Sequence, residues 1–405
     1  MTEQAAGSDE DTLRGRPSEV FFAFLKLGLT SFGGPIAHLG YFRDELVVRR
    51  RWLDDHAYAD LVALCQFLPG PASSQVGFAL GMMRAGWLGA FSAFLAFTLP
   101  SALILTVFAL LAPSIGGTVG GGALHGLKIV AVAIVAQAVW GMARNLCPDR
   151  GRSAIAVAAV AVLALVPGSA GMLAAIVMGA VVGLALGQCE TKPTGGRLAV
   201  SVSRSMAGGA LLSFAALLAV LPLLAPYSQT LAVIDSFYRA GALVFGGGHV
   251  VLPLLDAEVV HSGWVTPDAF LAGYGAAQAV PGPLFTFAAY LGAVLGPGPN
   301  GFLGAGIALL AVFLPGFLVL VGVLPFWDQF RAKPVAQSLM RGANAAVVGI
   351  LGAALYSPVF TSAVTDLRDF ALAAAGFVAL VVWKAPPWGV VVLSAVAGIG
   401  TALLG

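Results

Sequence analysis

Gln66-Phe67-Leu68-Pro69-Gly70-Pro71 returns later in the chain as Gln278-Ala279-Val280-Pro281-Gly282-Pro283. The match extends outward in both directions and in the same order. Upstream, Phe24-Leu25-Lys26-Leu27-Gly28 aligns with Phe237-Tyr238-Arg239-Ala240-Gly241, and Phe32-Gly33-Gly34 with Phe245-Gly246-Gly247. Glu45 falls on Glu258 and, with a one-residue gap, Trp52 on Trp264. Downstream, Leu80-Gly81 falls on Leu291-Gly292, Leu88-Gly89-Ala90 on Leu303-Gly304-Ala305 and Leu99-Pro100 on Leu314-Pro315. An ordered series of this length marks a duplication. It divides the chain into a polar tail (1–18), a first repeat (19–188), a loop with a linking transmembrane helix (189–230) and a second repeat (231–405).

Composition places the repeats in a membrane. Of 405 residues, 59% are hydrophobic and 10% charged, with 21 Lys+Arg against 19 Asp+Glu and a mean hydropathy of +0.92. Soluble domains carry about 25% charged residues. A cytosolic enzyme, a nucleic-acid binder and a disordered chain are excluded. Continuous apolar runs indicate helices, since the strands of a membrane barrel alternate. The expected fold is an all-α polytopic membrane protein. Residues 1–19 carry five acidic side chains and do not read as a signal peptide. The three cysteines, Cys65, Cys147 and Cys189, do not suggest a disulfide framework, and no metal-ligand spacing occurs.

Charge placement gives orientation. Arg43, Arg49, Arg50, Arg51 and Arg84 flank the first Pro-Gly-Pro region, whereas 256–266 and 297–300 in the second half contain no Lys or Arg. Conversely, Arg331 and Lys333 follow 301–325, and 113–120 has none. Arg144, Arg150, Arg152, Lys192, Arg197 and Arg204 fit cytoplasmic loops. Opposite bias in two homologous halves predicts inverted-topology repeats. Runs 55–68 and 71–83 are too short to span, so they read as half-helices or a re-entrant hairpin. For the parity to close, only one of 207–225 and 231–255 crosses fully. The Gly-Gly-broken segments, 19–42 and 231–255, are then not simple spans.

Several groups are candidates for chemistry. Lys26 and Arg239 occupy one repeat position inside apolar segments, where a cation costs about 2.5–3.5 kcal/mol. Facing each other, they would bind a dianion; snorkelling to the interface is the structural alternative. Gly33 and Gly34, and Gly246, Gly247 and Gly248, break their helices and expose N–H groups suited to an anion, or else serve close helix packing. Pro69, Gly70, Pro71, Pro281, Gly282 and Pro283 force hairpin turns, as structural breaks or as gates. Gln66 and Gln278 supply amide donors to an oxyanion or cap stray carbonyls. Lys128, Arg341 and Asn344 lie in corresponding helices, with His125 opposite Arg341, and are pathway candidates. Glu45 and Glu258 could take coupling protons or pair with arginines. Asp60 lies in the short run 55–68 and has no acidic counterpart, since Ala272 stands in its place; His38 reads as structural, His249 beside a Gly-rich break as a pathway or coupling candidate, and Trp52 and Trp264 as interface anchors. No nucleophile–base pattern, P-loop or dinucleotide fingerprint appears, so neither an enzyme nor ATP use is expected, and no cofactor.

The duplicated order of Phe-Gly-Gly, an acidic stretch, Trp and Gln-x-x-Pro-Gly-Pro resembles the chromate ion transporter family in its long, two-domain form. The resemblance covers about residues 19–188 and 231–405. It implies a multi-pass inner-membrane protein that exports chromate and confers chromate resistance, with a link to sulfate, and it matches the family at the Gly-Gly and Pro-Gly-Pro segments. Pro35 departs from the pattern, standing where the second half has Gly248. The expected partners are chromate, with sulfate as the alternative, and the lipid bilayer; a homodimer is open and nucleic acid is not expected. An ion gradient or antiport would supply the energy. The rival of another class is an anion channel.

Overall fold

The computed structural model describes residues 15–112, 117–187, 202–245, 248–327 and 333–404. Within these the chain is helical and contains no strand. Among the described residues, five helical stretches are long and apolar enough to cross a membrane: Ala72–Leu111, Gly117–Leu146, Arg204–Tyr227, Gly301–Phe326 and Pro334–Ala363. Along the second half of the first stretch, Leu88, Phe91, Leu95, Leu99, Leu103 and Val107 are all exposed. Their three- and four-residue spacing makes one apolar helix face, which suits lipid rather than water. The chain is a multi-pass membrane protein.

The first Gly-Gly segment is a hairpin, not a span. Helix α1 (Pro17–Thr30) stops at Ser31, and α2 (Gly34–Phe42) continues into a π-helical turn, Arg43–Arg49, that runs back beside α1. The return is fixed by Lys26 Nζ on Glu45 Oε2 at 2.6 Å, across nineteen residues. Trp52 Nε1 donates to Glu19 Oε1 at 3.1 Å, bringing the end of the turn to the start of α1. Asp54 caps α3 (Asp55–Phe67) by accepting the Ala57 N–H, satisfying a donor that the first helical turn leaves free. After Pro69-Gly70-Pro71 comes α4 (Ala72–Leu111), one helix by hydrogen bonding but broken at Ala85 and Gly86. Gly81 and Gly89 meet backbone to backbone across that break, so 72–84 and 87–111 are antiparallel neighbours. Arg84 returns to Glu19 at 3.2 Å. Helices α5 (Gly117–Leu146), α6 (Arg150–Leu165) and α7 (Ser169–Ala185) complete the first part.

Helix α8 (Arg204–Leu224) leads into the second part, and residues 188–201, with Cys189, Lys192 and Arg197, lie outside the described residues. Helix α9 (Gln229–Ala242) leads to the second Gly-rich break. A short α10 (Val251–Leu255) and a π-helical turn, Asp256–Val260, then return beside it. Arg239 Nη2 meets Glu258 Oε2 at 2.8 Å, again nineteen residues apart. Thr266 caps α11 (Pro267–Ala279) as Asp54 caps α3. After Pro281-Gly282-Pro283, α12 (Phe287–Val294) and α13 (Gly301–Val323) pack with Gly292 against Gly304, at the positions aligned with Gly81 and Gly89. Helices α14 (Pro334–Ala354), α15 (Leu367–Val381) and α16 (Pro387–Leu404) follow.

The two parts exchange their last helices. Helices α6 and α7 pack on α14, whereas α15 and α16 pack on α5. Glycine makes the approach possible: Gly122 and Gly126 of α5 lie on the backbone of α16 around Gly398 and Ser394, and Gly342 of α14 lies on Gly179 and Gly183 of α7.

Candidate functional site

The two Pro-Gly-Pro turns and the two Gly-rich breaks come together, each turn joined to the break of the other part. Gly70 N–H donates to Val244 O at 2.8 Å, and Gly282 N–H donates to Ser31 O at 2.9 Å. Ser31 and Val244 are aligned residues, each just before its Phe-Gly. Gly70 (φ +117°) and Gly282 (φ +104°) hold left-handed backbone that L side chains avoid. A Cβ on Gly70 would lie 2.8 Å from Gly316 Cα; one on Gly282 would lie 2.8 Å from Ser101 Oγ. Gly316 and Ser101 are themselves aligned, each directly after its helix proline. Gln75 fastens the first turn, donating to Pro69 O at 2.9 Å and Gly316 O at 2.8 Å. Thr286 Oγ1 donates to Pro283 O at 2.7 Å in the second.

The breaks touch directly. Gly33 and Gly34 both have positive φ, at +97° and +77°. A Cβ on Gly34 would lie 3.7 Å from His249 Nε2, and one on Gly248 would lie 2.8 Å from Pro35 Cγ. His249 Nδ1 is 2.8 Å from the Tyr274 hydroxyl. Ser31 is fully buried, and among the described residues its hydroxyl has no hydrogen-bond partner. The Gln278 amide nitrogen is buried one turn beyond Tyr274, near its hydroxyl but without a hydrogen bond of good geometry among the described residues. Gly246 and Gly247 lie outside the described residues. The arrangement places buried side-chain donors beside two interrupted helices, a setting in which an anion can be held.

Other sequence candidates sit elsewhere. Lys26 and Arg239 are not free cations. Lys26 is held by Glu45, which also takes Arg49 at 2.8 Å and Arg50 at 2.8 Å; Arg239 is shared by Glu258 at 2.8 Å and Asp235 at 2.9 Å. The expected pair of facing cations is instead two ion pairs, each closed within its own part. A cation in an apolar setting is costly alone, and the returning π-helical turn brings it a carboxylate. Gln66 is exposed, and the glutamine that engages the first turn is Gln75. Lys128 meets Asp268 at 2.9 Å on the wall of a cavity of about 620 Å³ that His125 and Tyr290 also line. His125 pairs with Asp369 at 2.8 Å. Arg341 is half-buried, and Asn344 Oδ1 is buried without a partner among the described residues. His38 is buried within 3.4 Å of Ser73 Oγ. No group of three metal-ligating side chains occurs among the described residues.

Sequence reasoning missed Ser31, Gln75 and Tyr274. Tyr274 carried a usable signal, since it precedes Gln278 by four residues and so shares its helix face. Ser31 and Gln75 carried none, because their roles depend on contacts with the other part.

Comparison with known proteins gives the family. The family model described as chromate transporter matches twice, over residues 18–184 and 231–399. The chromate transport protein of Pseudomonas aeruginosa is 31% identical over 90% of this chain and 87% of its own length. A probable chromate transport protein of Synechococcus elongatus is 29% identical, covering 93% of each chain. An uncharacterized transporter of Methanocaldococcus jannaschii is 27% identical over 85% of each. With the model matched on both sides of the linking helix, and a relative of this similarity aligned nearly end to end, the chain belongs to the chromate transporter family.

Proposed function

We propose that the protein is a secondary transporter that carries chromate out of the cell across the inner membrane, built from two inverted-topology repeats. The observation that carries the reading is the reciprocal junction, Gly70 to Val244 and Gly282 to Ser31, which brings both helix breaks to one place. Discontinuous helices that meet in this way hold substrate in carriers. Family membership supports chromate as the cargo. The charge bias supports orientation: Arg43 pairs with Asp55, Arg49 and Arg50 with Glu45, and Arg84 with Glu19, with Arg50 and Arg84 over Trp52, an arginine-rich end that the positive-inside rule makes cytoplasmic.

In this reading Gly33, Gly34, Gly248 and Gln278 surround the anion. Lys26 and Arg239, on the helices leading to the breaks, contribute positive potential from within their ion pairs. Pro69, Gly70 and Pro71, and Pro281, Gly282 and Pro283, are the hinges. Lys128 lines an approach cavity. Transport is driven by an ion gradient or by antiport, without an enzymatic step. The test is chromate flux into everted vesicles, with and without sulfate in trans and with the proton gradient collapsed. Saturable chromate uptake supports export. Saturable sulfate uptake alone keeps the architecture and changes the cargo, and single-channel currents in place of saturation refute the carrier.

A further inference from the structure

A side chain from the second Gly-rich break stands against Gly34 of the first. His249 places Nε2 3.7 Å from where a Cβ on Gly34 would stand, so nothing larger than glycine separates the imidazole from the opened backbone. Its other nitrogen is committed, because Nδ1 lies 2.8 Å from the Tyr274 hydroxyl. The hydroxyl can donate, which makes Nδ1 the acceptor and leaves the proton on Nε2, facing the break. Two further donors border the same junction without a hydrogen bond of good geometry among the described residues. They are the fully buried Ser31 hydroxyl, whose carbonyl holds Gly282, and the Gln278 amide on the Tyr274 helix face. None of these side chains is a carboxylate, so none offers a charged acceptor to a proton on the ligand.

We propose that His249 is a specificity-determining contact of the anion site, its Nε2–H aimed at the Gly33–Gly34 break by Tyr274. This donor selects a fully deprotonated tetrahedral oxyanion over one that still carries a proton. The inference rests on the transporter reading above. Tyr274 acts through His249 and is a positioning residue. Chromate and sulfate as dianions present only acceptors. Phosphate near neutrality keeps at least one O–H, which would point at a donor. Losing the tautomer lock turns Nε2 into an acceptor part of the time and weakens the discrimination.

The experiment uses the full chain in proteoliposomes, reading KM for chromate and inhibition by sulfate and by phosphate. A hydrogen bond to a charged group corresponds to a roughly 10- to 100-fold change in affinity. His249→Leu should raise KM by about that factor, and His249→Gln, which keeps an amide donor near Nε2, should restore most of it. Tyr274→Phe should raise KM severalfold and narrow the gap between sulfate and phosphate inhibition. Added to His249→Gln, Tyr274→Phe should cost little, because an amide needs no tautomer control. Unchanged KM and unchanged inhibition in His249→Leu would overturn the proposal, as would a Tyr274→Phe effect of equal size in both backgrounds. Wild-type protein that moves neither chromate nor sulfate would instead sink the transporter reading, and this inference with it.

Discussion

Replacing Gly70 by alanine tests the junction between the two parts most directly. The new Cβ would lie 2.8 Å from Gly316 Cα and 3.0 Å from Gln75 Nε2, and the backbone there has φ +117°. Two costs add. Left-handed backbone disfavours an L side chain by about 1–2 kcal/mol. Forcing a methyl against a backbone atom adds about 1–3 kcal/mol, since Gly316 Cα cannot rotate away as a side-chain tip can. The sum is about 2–5 kcal/mol. Gly316→Ala probes the same contact from the other side. Its Cβ would lie 2.9 Å from Pro71 Cδ, but Gly316 sits in regular helix without positive φ. It should show only the overpacking cost, about 1–3 kcal/mol. The assay is thermal unfolding of both variants in detergent by size-exclusion recovery, followed by chromate flux. Gly70→Ala should melt lowest and lose most transport. A Gly70→Ala protein as stable and active as wild type would refute the junction, and a more harmful Gly316→Ala would refute the assignment of strain to Gly70.

Four further outcomes are expected. Glu45→Gln leaves Lys26, Arg49 and Arg50 without their shared carboxylate, whereas after Glu258→Gln Arg239 keeps Asp235; Glu45→Gln should therefore destabilise more, by about 1–3 kcal/mol once the exposed cations are discounted, read as a lower melting temperature. Asp268→Asn frees Lys128 on the wall of its cavity and should lower the chromate KM severalfold at low salt, an effect that high salt abolishes. Single cysteines replacing the exposed His56 and Asp268, which lie at aligned positions, should react with impermeant maleimide from opposite faces of the membrane; labelling from one face would refute inversion. Asp149 caps α6, and the Arg152 backbone N–H and side chain hold its carboxyl below the usual range, so its contribution is complete at neutral pH and fades only as pH falls through that lowered value; Asp149→Ala should lower the melting temperature at pH 7, and Asp149→Asn should lower it much less.

Much of the architecture was legible because glycine and proline signal backbone directly. The Pro-Gly-Pro turns and the Gly33–Gly34 break fall where the sequence puts them, and the run after Pro71 is too short to span because it turns back at Ala85 and Gly86. The break at Ala85 and Gly86 was harder, since a lone glycine in an apolar run reads equally as packing. The site was legible only in part. Lys26 and Arg239 stood out as intramembrane cations, but their neutralisation by Glu45 and Glu258 depends on a hairpin that brings residues nineteen apart together. Glu45 and Glu258 were themselves visible as aligned acids, and pairing was one of two readings open for them. Nothing local ties Ser31 to Gly282 or Gln75 to Gly316; those contacts come from interlocking two parts of the chain, which no periodicity encodes.

The reciprocal bonds also constrain how the molecule can move. Gly70 is held to the strand of chain before one break and Gly282 to the matching strand before the other, so a turn that swings away takes its opposite break with it or releases it. Each bond contributes about 1 kcal/mol net. Two together come to about 2 kcal/mol, within the usual range of coupling free energies between sites. That is enough to bias both breaks toward the same state and small enough to be broken and remade in each cycle. The steric fit of Gly70 on Gly316 and of Gly282 on Ser101 then sets which arrangements are allowed, while the hydrogen bonds decide only how evenly they are populated. Substitutions at the glycines should therefore abolish exchange between states, whereas changes at Ser31 or Val244 that keep their carbonyls should leave it intact.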